Sequence, residues 1–151
     1  MGEVGGGWSQ VMNELAFERS GPERFLSTYP MLAELVRRVG TAPNDRSAVA
    51  IGGFAAKLWT LHRMSLAIAS LLSQGIAPEL EAAMVKDLGT TFEGTSMEIV
   101  RQLLPVEPSL SASTRLETLL AEAITHAPGF TLRGGTTEIL RGIVARGLGV
   151  R

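Results

Sequence analysis

Four residues near the carboxyl end of the chain, Gly134-Gly135-Thr136-Thr137, stand directly before a segment with helical spacing. The first backbone N–H groups of a helix have no partner within the helix, and the helix dipole adds partial positive charge there. Such an N-terminus favours a bound anion. The hydroxyl of Thr136 or Thr137 would also serve as an N-cap, with Glu138 favourable in the first turn. The pattern predicts a capped helix start and leaves anion binding open.

A second candidate is a glutamate on an apolar seam. Glu18 lies on a seam from Trp8 to Val39 whose steps alternate between three and four residues, the spacing of one face of a packed helix. A carboxylate that removes a proton from a substrate is best buried, because burial disfavours its charged form and raises its pKa. A functional role for the Glu18 carboxylate is therefore one interpretation of its place on an apolar seam. The alternative is a buried structural pair with Arg19, Arg63 or His62.

A third acidic residue, Glu93, stands in "FEGTSMEIVRQLL", in the middle of a long helical stretch. The stripe predicted to face the interior there includes Leu88, Thr91 and Thr95. Glu93 lies about 200° around the helix from both threonines. We therefore interpret Glu93 as a solvated helix carboxylate.

Helical stretches joined by short loops must position these residues. Sustained period-two alternation and Asn-Gly or Asp-Gly turns are missing from the sequence, so strands are not predicted. The first stretch is expected to kink or split at Gly21-Pro22 and at Pro30. The fold class predicted is all-α, an up-and-down four-helix bundle with an extra short C-terminal helix. The predicted helical stretches are 8–39, 47–74, 79–104, 112–126 and 136–147.

Composition excludes several classes of protein. The chain has 151 residues, 45% of them hydrophobic, enough for one domain with a core. No apolar run reaches the roughly 20 residues that span a bilayer. The 14 basic and 15 acidic residues are interspersed, so no nucleic-acid partner is expected. With no cysteine, thiolate chemistry and a zinc cluster are excluded, and a cytoplasmic location is expected.

Three large side chains are predicted to lie in the core, the histidine among them because it is flanked by Leu58, Leu61 and Leu66. They are Trp8, Trp59 and His62.

Two segments resemble acyl-CoA dehydrogenases: "GGTTEILRGIVARGLG" at the carboxyl end and "GGGWSQVMNELAFER" at the amino end. They are similar to the closing segment and to the first long helix of that family's C-terminal domain, in the bacterial branch that often assembles from unlike subunits. The resemblance covers residues 1–151. It implies a C-terminal helical domain without the family's N-terminal helical and middle β-domains. The implied activity is FAD-dependent α,β-dehydrogenation of acyl-CoA thioesters in fatty acid metabolism.

The resemblance also implies site residues. In much of the family the catalytic glutamate stands immediately before the Gly-Thr pair, where this chain has Gly134. In the isovaleryl and long-chain types the base comes from the first helix, just before an arginine, and Glu18-Arg19 matches that pattern. The resemblance thus implies Glu18 as the catalytic base. The residues implied to contact FAD are Gly134, Gly135, Thr136 and Glu138.

Some family features are missing, among them the Phe-Gly after the first helix and the Gln- and Gly-rich segment after the third. These departures fit a mixed assembly in which only some subunits hold a complete site. The implied partners are an acyl-CoA substrate and acyl-CoA dehydrogenase subunits in a homo- or hetero-oligomer, and the chain alone is expected to be inactive. The alternative is a non-catalytic helical oligomerisation module of such an assembly.

Overall fold

The computed structural model describes residues 2–150, which form six α-helices and one short 3₁₀ turn, Pro22–Arg24. No strand occurs in this described range. The all-α prediction is therefore confirmed. The helices are α1 (Gly7–Glu18), α2 (Tyr29–Val39), α3 (Asp45–Ser73), α4 (Glu79–Leu103), α5 (Arg115–Leu132) and α6 (Thr137–Gly147).

The first predicted stretch is two helices, because its two prolines act differently. Helix α1 ends at Glu18, and Pro22 opens the 3₁₀ turn that follows. Pro30 lies in the first turn of α2, where a missing backbone N–H is tolerated because it has no partner in the helix anyway. The chain therefore splits at Gly21-Pro22, as predicted, whereas Pro30 begins a helix and breaks none.

Helices α3 and α4 form the long hairpin of the fold. The side chain of Asn44 caps α3 by accepting a hydrogen bond of 2.8 Å from the backbone N–H of Ser47. Gly75, with φ of +76°, follows the last turn of α3 in the left-handed conformation that glycine adopts without strain. These boundaries agree closely with the predicted stretches 47–74 and 79–104.

Helix α5 is longer than predicted, and the loop expected for residues 127–132 is wrong. The helix continues through Pro128 to Leu132. Its last turns are fixed by tertiary contacts, because Phe130 is buried and its carbonyl oxygen accepts hydrogen bonds from Lys86 Nζ (2.7 Å) and Thr90 Oγ1 (3.2 Å). These contacts outweigh the local preference of proline to end a helix.

The core is arranged around α4, which packs against each of the other five helices and against the 3₁₀ turn. A second, smaller cluster joins α4 to α6 through Ala83, Leu140 and Ile143. Residues of the main core with almost no exposed surface include Phe25, Met31, Leu35, Ile68, Val85, Val100, Leu116 and Leu120.

The core prediction is wrong for three large side chains. Trp8 is 77% exposed, Trp59 is 66% exposed, and His62 is also on the surface. The reason for the last two is that α3 packs mainly on α4 and leaves the rest of its apolar surface uncovered. Within residues 2–150, none of the helices is long and apolar enough to cross a membrane.

Candidate functional site

The Gly134–Gly135 turn joins α5 to α6, and its conformation requires glycine. The φ angles are +71° at Gly134 and +112° at Gly135, in the region that a Cβ atom disfavours. Thr136 then occupies the N-cap position of α6, as predicted, but its side chain makes no capping bond to the helix backbone.

Glu138, in the first turn of α6, takes part in the start of that helix. The pKa of its exposed carboxyl lies below the usual value, first because the carboxylate faces its own backbone N–H and then because it faces the Thr136 hydroxyl. Glu138 thus already supplies negative charge at the helix N-terminus. Gly135, Thr136 and Thr137 are partly exposed there, whereas Gly134 is buried.

Arg19 connects this turn to the other end of the chain. Its Nε donates a 2.7 Å hydrogen bond to the carbonyl oxygen of Gly134, across 115 positions of sequence. The Arg19 side chain is 1% exposed. The Glu18-Arg19 pair and the glycine turn, singled out separately in the sequence, therefore form one site in space.

Glu18 lies beside this site but not on a buried seam, so its expected burial is wrong. Helix α1 ends at Glu18, and the chain then turns, so the periodic seam does not continue through this position. The carboxylate is 43% exposed and forms an ion pair with Arg24, whose Nε also donates a 3.0 Å hydrogen bond to the Glu18 carbonyl oxygen. Arg24 thus replaces the three pair partners expected from the sequence. The catalytic role of Glu18 stays a prediction.

Glu93 is the opposite case, and its interpretation as a solvated carboxylate is wrong. Its side chain is fully buried and accepts hydrogen bonds from the backbone N–H of Ser27 (2.8 Å) and from Arg133 Nη2 (3.0 Å). Burial raises the pKa of Glu93, against the opposing effects of Ser27 and Arg133. Arg133 directly precedes the glycine turn, so Glu93 anchors that turn to α4.

The prediction for Glu93 is wrong because the stripe of α4 that was expected to face the interior is on the surface. Leu88, Thr91 and Thr95 are exposed. The face that enters the protein is the one formed by Ala82, Val85, Lys86, Gly89, Thr90, Phe92, Glu93, Ser96, Met97 and Val100. Small residues recur on this face, and Gly89 lies so close to the 3₁₀ turn that an added Cβ would come within 2.5 Å of the Arg24 carbonyl oxygen. That run of small residues was the signal that could have identified the face.

Two further basic residues belong to the site, and neither was singled out from the sequence. Arg24 is 3% exposed and Lys86 is fully buried. A methyl group placed on Gly134 would lie 3.5 Å from both Arg19 Cγ and Lys86 Cε, and 3.8 Å from Arg24 Cζ. The position where the dehydrogenase resemblance expects a glutamate is therefore lined by the side chains of three basic residues.

Lys86 is held by neutral groups. Its Nζ donates to Thr90 Oγ1 (2.5 Å) and to the Phe130 carbonyl oxygen. Burial, followed by the nearby charges of Arg24 and Arg133, lowers the pKa of Lys86 to about 8. No group of three His, Cys, Asp or Glu residues that could hold a metal ion lies in residues 2–150.

A cavity of about 500 Å³ lies between α2 and α5, close to this site but separate from it. Its walls are mainly apolar, with polar side chains from Ser27, Thr28, Glu122, His126 and Arg133. Glu18 and Gly134 do not line the cavity. Arg133 lines the cavity and also pairs with Glu93, so it borders both the cavity and the site.

Comparison with known proteins identifies the family of this sequence. The sequence model described as "Acyl-CoA dehydrogenase, C-terminal domain" matches residues 36–149, well over half of the chain. No curated protein matches the chain. The matched residues include α3 to α6 and the glycine turn, whereas Glu18, Arg19 and Arg24 precede them.

Proposed function

Because the chain belongs to the acyl-CoA dehydrogenase family through its C-terminal helical domain, we propose that it forms one wall of the active site of an FAD-dependent acyl-CoA dehydrogenase. In this proposal the substrate is an acyl-CoA thioester, and residues 1–151 act together with other acyl-CoA dehydrogenase domains or subunits. The observation that carries the proposal is the hydrogen bond from Arg19 to the Gly134 carbonyl oxygen. It brings together the two segments that carry the family resemblance.

Glu18 is the proposed base, and its position relative to Gly134 supports this role. The partner of its carboxylate, Arg24, has its guanidinium carbon 3.8 Å from the point where a Gly134 side chain would begin. The Arg24 guanidinium therefore contacts the Glu18 carboxylate and also lies close to the place where much of the family has its glutamate. The Glu18 carboxylate would take the α-proton of the thioester as the Cα–Cβ double bond forms.

The exposure of Glu18 sets a condition on this proposal. A carboxylate that is 43% exposed is well solvated, and solvation favours its charged, weakly basic form. Bound substrate or neighbouring protein must therefore cover Glu18 before the proton is transferred. The isolated chain provides no such cover within the residues described, so we expect it to be inactive by itself.

The glycine turn is the proposed contact with the cofactor. FAD, when bound, supplies the acceptor for the hydride that leaves Cβ. Gly135, Thr136 and Glu138 have the exposure needed for direct contact. Gly134 is buried, so its contribution is the left-handed turn that presents the next residues. The Glu138 carboxylate favours contact with a polar part of FAD over contact with its pyrophosphate.

Glu18→Gln in the assembled enzyme tests the base. Loss of the carboxylate should lower turnover on the order of 10²- to 10⁴-fold, the usual contribution of a general base, while visible flavin absorbance is retained. Glu14→Gln is a matched control, because Glu14 is exposed one turn earlier on the same helix. Unchanged turnover in Glu18→Gln would remove Glu18 from the mechanism.

A second candidate function is a non-catalytic oligomerisation module, and the surface of α3 favours it. Val49, Trp59 and Leu66 are 76%, 66% and 48% exposed on this helix. Visible absorption spectra of the chain, purified alone and with its genomic neighbours, separate the two functions. Flavin bound only with a partner, together with lost activity in Glu18→Gln, supports the shared active site. Full activity of the assembly with Glu18→Gln supports the module.

A further inference from the structure

We infer that Arg24 positions the Glu18 carboxylate, and that Gly89 of α4 in turn sets the place of Arg24. This role rests on the proposed function, in which Glu18 is the base, and adds the residues that fix the direction of that base. Both are positioning residues, because they act through Glu18 and not on the substrate or FAD. They act in series: Gly89 on the backbone of Arg24, and the Arg24 side chain on Glu18.

Arg24 contacts Glu18 at two points. Its Nη2 pairs with the Glu18 carboxylate, and its Nε donates a 3.0 Å hydrogen bond to the Glu18 carbonyl oxygen. Glu23 lies farther away, with Oε1 at 3.5 Å from Arg24 Nε. The donors of a guanidinium have a fixed planar arrangement, so the two contacts together restrict the direction of the Glu18 side chain.

Arg24 is the fixed member of this pair. Its side chain is 4% exposed, whereas the Glu18 side chain is 43% exposed. A glutamate so exposed would otherwise move among several rotamers, and ordering it costs side-chain entropy. A reacting group that is already held in place avoids this cost at the moment of reaction. The buried guanidinium therefore supplies the order that the open surroundings of Glu18 do not.

The position of Arg24 depends on a glycine of α4. A Cβ added to Gly89 would lie 2.5 Å from the Arg24 carbonyl oxygen and 3.3 Å from Phe25 Cβ. Arg24 ends the 3₁₀ turn and Phe25, which follows it, is 1% exposed, so this part of the chain packs directly on the α4 backbone. Only a residue without a side chain permits so close an approach. Gly89 thereby sets the distance from α4 at which the Arg24 side chain begins.

Gly89→Ala in the assembled enzyme tests this role without changing any charge. The turn would have to move by roughly 1 Å to relieve the contact, and a displacement of that size can lower kcat on the order of 10²-fold. KM and the visible flavin absorbance should change little. Gly94→Ala is the matched control, because Gly94 lies in the same helix and an added Cβ there meets nothing within 4 Å. It should keep full turnover.

A double variant separates positioning from a general loss of structure. In the Glu18→Gln background, Gly89→Ala should lower the residual turnover no further, since no base is left to position. A further loss of similar size in that background would show that Gly89 acts on the fold in general, and the positioning role would be wrong.

Arg24→Lys gives a second test that leaves α4 unchanged. Lysine has a single side-chain nitrogen, so it cannot reproduce the two-point contact with Glu18, and kcat should fall roughly 10-fold. Arg101→Lys is its control, because Arg101 forms an exposed pair with Glu98 on the surface of α4, and it should keep full turnover.

Glu18→Gln alone distinguishes a failure of the positioning role from a failure of the proposed function. Unchanged turnover in Glu18→Gln would overturn the proposed base together with its positioning residues. Lost turnover in Glu18→Gln, with full turnover in both Gly89→Ala and Arg24→Lys, would overturn the positioning role alone.

Discussion

Helix α4 contributes to two buried regions that differ in what holds them together. Val100, near the end of α4, belongs to the same apolar core as Leu35 of α2 and Leu116 and Leu120 of α5. Around Lys86 and Glu93 the helix meets arginines and the glycine turn. Burial is equally complete in both regions.

The difference lies in how each region depends on its partners. The apolar core is stabilised in proportion to the area removed from water, so its contribution is independent of pH and of any single partner. The charged region depends instead on specific hydrogen bonds and ion pairs, so the loss of one partner leaves a further buried charge or donor unpaired. One region therefore resists changes in solution conditions, and the other responds to them.

Truncation in the apolar region should have the largest effect. Leu120→Ala removes a fully buried side chain and leaves a cavity, so the free energy of unfolding should fall by roughly 3.5 kcal/mol at any pH. Urea denaturation of this variant measures the loss. Leu110→Ala is the control, because Leu110 is 65% exposed and its truncation should change little. A loss in Leu120→Ala that varied with pH would contradict the division between the regions.

Two substitutions of Glu93 test whether the charged region depends on the hydrogen bonds of this residue or on its charge. Glu93→Ala leaves the Ser27 N–H and Arg133 without their partner and should cost roughly 3 kcal/mol at neutral pH. Glu93→Gln should cost less, because burial already disfavours the charged carboxyl and the amide oxygen still accepts one of the two hydrogen bonds, while the amide NH₂ group faces the other donor.

Urea denaturation of both Glu93 variants checks this order. Glu98→Ala, whose native side chain is 59% exposed on the same helix, should be almost neutral. Equal losses for Glu93→Ala and Glu93→Gln would show that the charge of Glu93, and not its hydrogen bonds, stabilises the site.

The pH dependence of stability should distinguish the regions through Lys86. The pKa of Lys86 is lowered from 10.5 to about 8, so between these values the unfolded chain binds a proton that the folded chain lacks. The stability of the wild-type chain relative to Lys86→Met should therefore rise, by roughly 2 kcal/mol from about pH 7.5 to about pH 9.5.

Urea denaturation at several pH values measures this difference. The Lys86→Met variant also loses the hydrogen bonds to Thr90 and Phe130. This loss changes its free energy of unfolding by an amount that does not depend on pH in this range. A constant difference between the two chains would mean that Lys86 keeps an ordinary pKa when folded.

The smallest expected effect on stability is at Glu18. Its ion pair with Arg24 is 43% exposed on the glutamate side, so Glu18→Gln should cost only about 0.5 kcal/mol. Thermal unfolding of Glu18→Gln, with Glu14→Gln as the control variant, measures this loss of stability. A large loss would show a structural role and would weaken the use of Glu18→Gln as a test of catalysis.

From the sequence, the ends of the helices could be predicted more accurately than the helix faces that are buried. Local signals located the ends of helices, as at Gly75 and at Gly21-Pro22. The burial of α4 was assigned to the wrong stripe, because Lys86 and Glu93 are polar and their partners come from distant segments. Trp59 was misplaced because composition does not tell whether a neighbour covers an apolar helix face.

The candidate site was foreseen in part. The family resemblance pointed to Glu18-Arg19 and to the glycine turn, which the structure brings together. The basic residues around Gly134 were not foreseen, since Arg24 and Lys86 form no motif in sequence. Their convergence depends on three segments meeting in space.

The bond between Arg19 and Gly134 has a consequence for the order of folding. It joins residues 115 positions apart, so Arg19 cannot reach its final place until Gly134 has left the ribosome. Contacts of such long range are slow to form because the intervening chain must first be closed into a loop. The α3–α4 hairpin, which is local, can form early. The site at the glycine turn is therefore completed after the α3–α4 hairpin has formed.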